Sequence, residues 1–142
     1  MTAPNELTAS AAAEAIRRGD MTSEALVAAC LARIATIDGG IGAFASLDPD
    51  YALEQARAAD RAANEGRPVG KLHGVPIAVK DVIDTRDYPT ENGCPIFAGR
   101  RPERDAFCVA ALRAAGAVII GKTVSTELAL LTPSTVKNPL AR

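Results

Sequence analysis

No stretch of this sequence stays apolar long enough to cross a membrane. Neither sign of charge is in excess. Sixteen basic residues against seventeen acidic ones leave a formal net charge of -1, so there is no electrostatic footprint for nucleic acid or an anionic lipid surface. The opening residues, "MTAPNELTAS", have neither a basic region nor an apolar core and do not read as a secretory signal. Cysteine is scarce. Cys30, Cys94 and Cys108 are odd in number, widely spaced and without metal-ligand spacing, which excludes a disulfide framework and predicts buried free thiols in a reducing cytoplasm. The single histidine, His73, has no sequence pattern pairing it with a nucleophile, and a packing or hydrogen-bonding role is expected. There is no internal repeat.

What is present is an ordinary globular composition, 48% hydrophobic and 23% charged over 142 residues, enough for one domain with one core. Alanine supplies much of the apolar fraction and favours helix. Three helices are predicted in the first half. "LTASAAAEAIRRGD" has Leu7 as a staple, Thr8 as N-cap and Gly19 as a stop. "MTSEALVAACLARIATIDGG" is capped by Thr22 or Ser23, carries Leu26, Cys30, Ile34 and Ile37 at helical spacing, and ends at Gly39 and Gly40. "SLDPDYALEQARAADRAANEGRP" has Asp48 as cap, Pro49 at the first helical position and Gly66 with Pro68 as its close; its alternating charges read as a solvated face.

The second half changes character. Val75–Val79 reads as a buried strand, with Pro76 suited to a strand start or an edge. "TRDYPTENGCPIFAGRRPE" reads as a long excursion. "RDAFCVAALRAAGA" follows as a helix with Asp105 as cap and Gly116 as stop, then "AVIIGK" as a second strand and "VSTELALL" as a short helix capped by Ser125 or Thr126. Strand, helix, strand is a βαβ unit, with parallel strands and room for another between them. Two strands do not make a stable sheet, and no further candidate strand stands out.

"GAVIIGKT", Gly116 to Thr123, matches the phosphate-loop pattern G-x-x-x-x-G-K-[ST]. A true phosphate loop follows a strand and opens a helix, and its variable positions form a nest of backbone N–H groups. Here a helix precedes Gly116, and the variable positions are Ala117, Val118, Ile119 and Ile120, a strand whose β-branched residues resist the positive φ of a nest. Nucleotide binding is not expected.

Lys80 closes the first strand, where ligands bind in open α/β sheets. Alternation places Ile77 and Val79 on one face and Ala78 and Lys80 on the other. Partial desolvation is expected there, which would depress the ammonium pKa and leave an amine able to act as a base. The competing reading is a structural lysine paired with Asp81 or Asp84. Those two aspartates have no further ligand cluster around them and read as positioning groups rather than a metal site.

The run "LHGVPIAVKD", the Thr-Glu-Asn-Gly loop, "RDAFCVAALRAAGAVIIGKT", the "TELA" turn and an "NP" dipeptide, in that order, strongly resemble the amidase signature family. The resemblance runs from about Leu7 to Asn138. It implies an α/β fold: N-terminal helices followed by a βαβ unit that is the first part of a mixed sheet. It divides this single incomplete domain into a helical segment, 1–69, and a βαβ segment with the catalytic lysine, 70–142. It implies amide hydrolysis by a Ser-cisSer-Lys triad whose lysine is Lys80, with Thr126, Glu127 and Leu128 near the substrate pocket. No cofactor or metal is implied. The partner is a small-molecule amide in the full-length enzyme, with neither nucleic acid nor membrane, and the setting is cytoplasmic. In the family the bridging serine sits in a Gly-Gly-Ser-Ser-Gly-Gly type motif soon after "NP". The serines here are Ser10, Ser23, Ser46, Ser125 and Ser134, none in such a setting. The expectation is therefore an N-terminal part of an amidase, inactive alone, or a non-catalytic module that self-associates through an open sheet edge.

Overall fold

Local capping decides where the first helices begin. In the computed structural model, which describes residues 2–130 and 132–139, Thr8 accepts the N–H of Ala11 and opens α1 (Ala9–Arg18). Thr22 does the same for Ala25 at the start of α2 (Ser23–Ile41), and Asp48 for Tyr51 at the start of α3 (Pro49–Asn64), with Pro49 in the first turn. Gly19 closes α1 in the left-handed conformation. α2 runs through Gly39 and Gly40, where a stop was expected, and is closed by Gly42 instead. Its buried stripe is Leu26, Val27 and Leu31, with Cys30 and Ile34 half-buried beside it.

The sheet has three strands among the described residues, in the order β1-β3-β2. β2 (Pro76–Lys80) and β3 (Val118–Thr123) are parallel and directly paired, so no strand lies between them. The missing partner is β1 (Phe44–Leu47), which runs antiparallel to β3 and lies inside the segment expected to be purely helical. β2 is an edge, which accommodates Pro76. α4 (Phe107–Ala114) bridges back to β3. Its N-cap is Ala106 with no side-chain cap, because the Asp105 carboxylate is taken by the backbone N–H of Arg86 and the guanidinium of Arg113.

Two cores sandwich β3. Val27, Leu31, Ala52 and Ala56 from α2 and α3 meet Val118 and Ile120 on one side. Val79, Tyr88, Val109 and Ile119 form the other, with Ile77 packed against them as alternation requires. Burying such side chains contributes roughly 1.5–3 kcal/mol each relative to exposure. Ile120 has no opposite residue on β2, since Ile77 pairs with Ile119 and Ala78 with Gly121. This bulge shifts the alternation, so Ile119 and Lys122 both face the segment after β2. Gly121 is required there: a Cβ would come within 2.5 Å of the Ser46 carbonyl oxygen on β1.

The start of β2 is tied down from three directions. Ser23 Oγ donates to the Gly74 carbonyl at 2.8 Å, the Asp60 carboxylate of α3 accepts the N–H groups of Ser23 and Glu24, and the His73 Nε2–H donates to Ala59 O at 3.0 Å. His73 thus has the hydrogen-bonding role expected of it. Of the cysteines, all free, Cys94 is buried, Cys30 is intermediate and Cys108 is exposed, so the burial expected of all three holds for one.

Candidate active site

At the C-terminal end of β2 the chain turns out of the sheet into the excursion that leads to α4. Lys80 is the last strand residue, opposite Thr123 of β3. Its side chain is exposed, with no hydrogen bond or ion pair among the described residues. The expected desolvation is thus absent, and so is the expected alternative of a pair with Asp81 or Asp84. The reason is geometric: Ala78 and Lys80 share one face of β2, and both are exposed.

Asp81, one residue on, is 3% exposed. Its backbone N–H donates to Thr123 O at 2.8 Å and its carbonyl accepts the N–H of Asn92 at 3.0 Å. Its two carboxylate oxygens accept the N–H groups of Glu91 at 3.1 Å and Gly93 at 3.2 Å. The Thr-Glu-Asn-Gly loop is therefore wrapped around one carboxylate, the positioning role expected of Asp81. Asp84 pairs in a bidentate manner with Arg100 at 2.7 and 3.0 Å, and this guanidinium holds its carboxyl below the usual range.

The segment after β3 is not the expected helix. Glu127–Ala129 is a single 3-10 turn, with Leu128 at φ 50° and Ala129 at φ 58°. Positive φ at such residues breaks a helix and is sustained only where other contacts over-determine it. Here the Leu128 N–H donates to Asn92 O at 2.8 Å, and Asn92 itself has φ 56°. The Cys94 thiol donates to Glu127 Oε1 at 3.3 Å. Gly93, at φ 60°, lies so close to β3's continuation that a Cβ would come within 2.5 Å of Ser125 O. The Thr-Glu-Asn-Gly loop and the Thr-Glu-Leu-Ala turn are thus docked on each other beside a cleft of about 290 Å³ lined by Asp81, Glu91, Cys94 and Ser125. Of the expected pocket residues Thr126, Glu127 and Leu128, none lines that cleft; Glu127 reaches it through Cys94.

Sequence reasoning overlooked Lys122. It is fully buried, and its ammonium donates to Ile83 O at 2.9 Å, Pro89 O at 3.1 Å and Thr90 Oγ1, with Asp81 Oδ1 3.8 Å away. Burial pushes its pKa below the ordinary lysine value, against the opposing pull of Asp81, Asp84 and Asp87. The "GKT" of the phosphate-loop pattern is thus a strand glycine next to the bulge, a buried lysine and a strand residue. No group of three or more metal-ligating side chains is assembled among the described residues. No described helix is long and apolar enough to cross a membrane.

The chain is 48% identical over 130 residues to a glutamyl-tRNA(Gln) amidotransferase component of Chloroflexus aurantiacus, covering 92% of this chain and 27% of that protein. The native peptide amidase of Stenotrophomonas maltophilia superposes with a TM-score of 0.79 at 38% identity, over 86% of this chain and 25% of that one. A fatty acid amide hydrolase superposes with a TM-score of 0.81 at 27% identity, over 87% and 22% of the respective chains. The chain therefore spans about a quarter of the length of these relatives. The family model described as amidase matches residues 25–141, and on that match, together with the shared fold, this chain belongs to the amidase family, the amidase-signature enzymes.

Proposed function

We propose that these residues carry the catalytic lysine of an amide hydrolase, and that this lysine is Lys80. The observation that carries the reading is its place: the last residue of parallel strand β2, with a side chain free of partners among the described residues, beside an excursion held by Asp81. In the Ser-cisSer-Lys scheme a neutral lysine takes the proton of a bridging serine, which in turn activates the nucleophilic serine. The nucleophile attacks the amide carbonyl, ammonia or an amine leaves, and water releases the acyl group. The substrate class is a small-molecule amide and the setting cytoplasmic; in the whole enzyme Thr126, Glu127 and Leu128 would stand near the substrate, although none lines the cleft between the two docked loops. We read residues 1–142 as one part of a larger amidase domain. The serines of the scheme find no counterpart among the described residues: Ser23 is a buried helix residue bonded to Gly74 O, and Ser125 Oγ donates to Thr126 O.

Two assays test the reading. Ammonia release from a panel of simple amides by this chain alone should equal the buffer blank. A chimera in which this chain replaces the matching quarter of the Chloroflexus aurantiacus relative should turn over, and Lys80→Ala should reduce its kcat by roughly a thousandfold or more. Turnover by the chain alone, or a fully active Lys80→Ala chimera, would reject it. A second reading, a non-catalytic module that associates through its sheet, is favoured by the edge of β2, open among the described residues, and by the exposure of Ile96 and Phe107.

A further inference from the structure

Lys122 has no part in the scheme above, and its burial calls for a reason. Enclosing an ammonium carries a desolvation cost that a well-packed apolar side chain would avoid, and Val79, Tyr88 and Ile119 offer an apolar setting nearby. What an apolar residue could not do is bind carbonyls. The three hydrogens of the ammonium find three acceptors, Ile83 O, Pro89 O and Thr90 Oγ1. All three belong to the excursion that leaves β2 at Asp81. Ile83 lies at its start, and Pro89 and Thr90 lie just before the residues whose N–H groups Asp81 receives. The near contact of 3.8 Å between Lys122 and Asp81 joins the two sets of bonds into one cluster.

We propose that Lys122 is a positioning residue. Its buried ammonium draws Ile83, at the start of the excursion, together with Pro89 and Thr90 further along it, and through Asp81 it fixes the direction in which the neighbouring Lys80 leaves β2. The consequence for Lys80 rests on the reading of Lys80 as the catalytic base. The clamp itself is independent of that reading and can be measured without turnover.

The experiment is amide hydrogen exchange, resolved by residue by NMR, on this chain and on its Lys122→Met, Thr90→Val and Lys80→Ala variants. In Lys122→Met the amides of Glu91 and Gly93 should exchange at least tenfold faster, while those of Ile119 and Ile120 in β3 keep their rates. Thr90→Val, which removes one acceptor and leaves the charge, should move the same two amides by a smaller factor. The Lys122 ammonium should give a slowly exchanging ¹⁵N-correlated signal in the parent chain, broadened in Thr90→Val, a signature that general loss of stability would not give. Lys80→Ala should leave the pattern unchanged; a faster Glu91 or Gly93 there would mean that Lys80 holds the loop and would overturn the assignment. So would unchanged rates at Glu91 and Gly93 in Lys122→Met, or a uniform rise that includes β3. If Lys122→Met does not fold, Thr90→Val is judged by the same local-against-uniform criterion. A failure of the catalytic reading shows only in the turnover of the Lys80→Ala chimera, so the two ideas fail separately.

Discussion

Lys80 and Asp81 are neighbours in the chain and opposites in surroundings: the ammonium is exposed and without a partner among the described residues, whereas the carboxylate is enclosed by the Glu91 and Gly93 N–H groups and stands 3.8 Å from Lys122. The strand ends between them. One side chain follows the open face of β2, and the next turns inward to anchor the excursion. The backbone of Lys80 inherits the rigidity of Asp81, which the catalytic role proposed for Lys80 would use.

Asp81→Asn keeps the size of the side chain and removes its charge. It turns one acceptor oxygen into an NH2 that faces an N–H donor and leaves Lys122 without its counter-charge. Breaking a buried pair on one side costs on the order of 3 kcal/mol. Urea denaturation should show a loss of about this size, and Glu91 and Gly93 should be the amides that lose protection first. A variant as stable as the parent would show that the loop does not depend on the carboxylate.

Gly121→Ala tests the bulge. The added methyl would stand 2.5 Å from Ser46 O, a backbone atom that cannot swing aside. β1 must then move off β3 or the bulge must rearrange, and a loss of roughly 1–3 kcal/mol is expected, as for other overpacked sites. Amide exchange in β1 should rise more than in β2. Equal effects on both strands would mean that the close approach to β1 is not the constraint.

The first three helix starts were legible because capping is local: Thr8, Thr22 and Asp48 need only the residue three positions on. The βαβ frame was legible from its apolar runs. β1 was not, because Phe44–Leu47 is four residues without a β-branched side chain, and its identity as a strand comes from pairing with β3. The only local hint was the short apolar stretch left between the Gly42 stop and the Asp48 cap. The partial burial expected of Lys80 is not found, and the burial of Lys122, for which nothing was expected, was not legible for the same reason. Which lysine is buried depends on a one-residue bulge and on which face of each strand is covered, and both are tertiary facts. The turn at Leu128 looked helical because its side chains suit a helix, while its conformation is set by the loop across from it.

The tyrosines supply an alkaline signature. Burial, reinforced by the Asp87 charge, raises the Tyr88 pKa well above its ordinary value of 10.0, and burial and Asp87 raise Tyr51 as well. Above pH 10 the unfolded chain loses these protons while the folded chain keeps them, so the folded state binds more protons and stability falls as pH rises. Each such proton accounts for about 1.4 kcal/mol per pH unit within its window. Lys122 acts in the opposite sense. Its depressed pKa means the unfolded chain binds more protons below 10.5, so its contribution rises with pH up to that point and is flat beyond. Denaturation midpoints should therefore fall steeply above pH 10.5, and Tyr88→Phe should flatten that fall. An unchanged slope in Tyr88→Phe would show that Tyr88 ionises alike in both states.

The sheet edge makes the last prediction. β3 is covered on both sides, but β2 has β3 as its single strand neighbour among the described residues, and its Ala78 and Lys80 are exposed, so the burial expected of the first strand holds for Val79 and not for Ala78. Ile96 and Phe107 are 87% and 91% exposed. Unpaired backbone groups along an edge and uncovered large apolar side chains are association sites. Lys80 is the one charge on the edge strand, at its far end, and opposes pairing only there. The chain alone should therefore self-associate, with a sedimentation coefficient that rises across roughly 1–100 μM, the range in which such surfaces meet. Ile96→Asn with Phe107→Ser should shift that rise to higher concentration, and the residual association should be that of the strand edge. A sharp monomeric boundary, independent of concentration, would remove the associating-module reading and show that the open edge of β2 is tolerated in water.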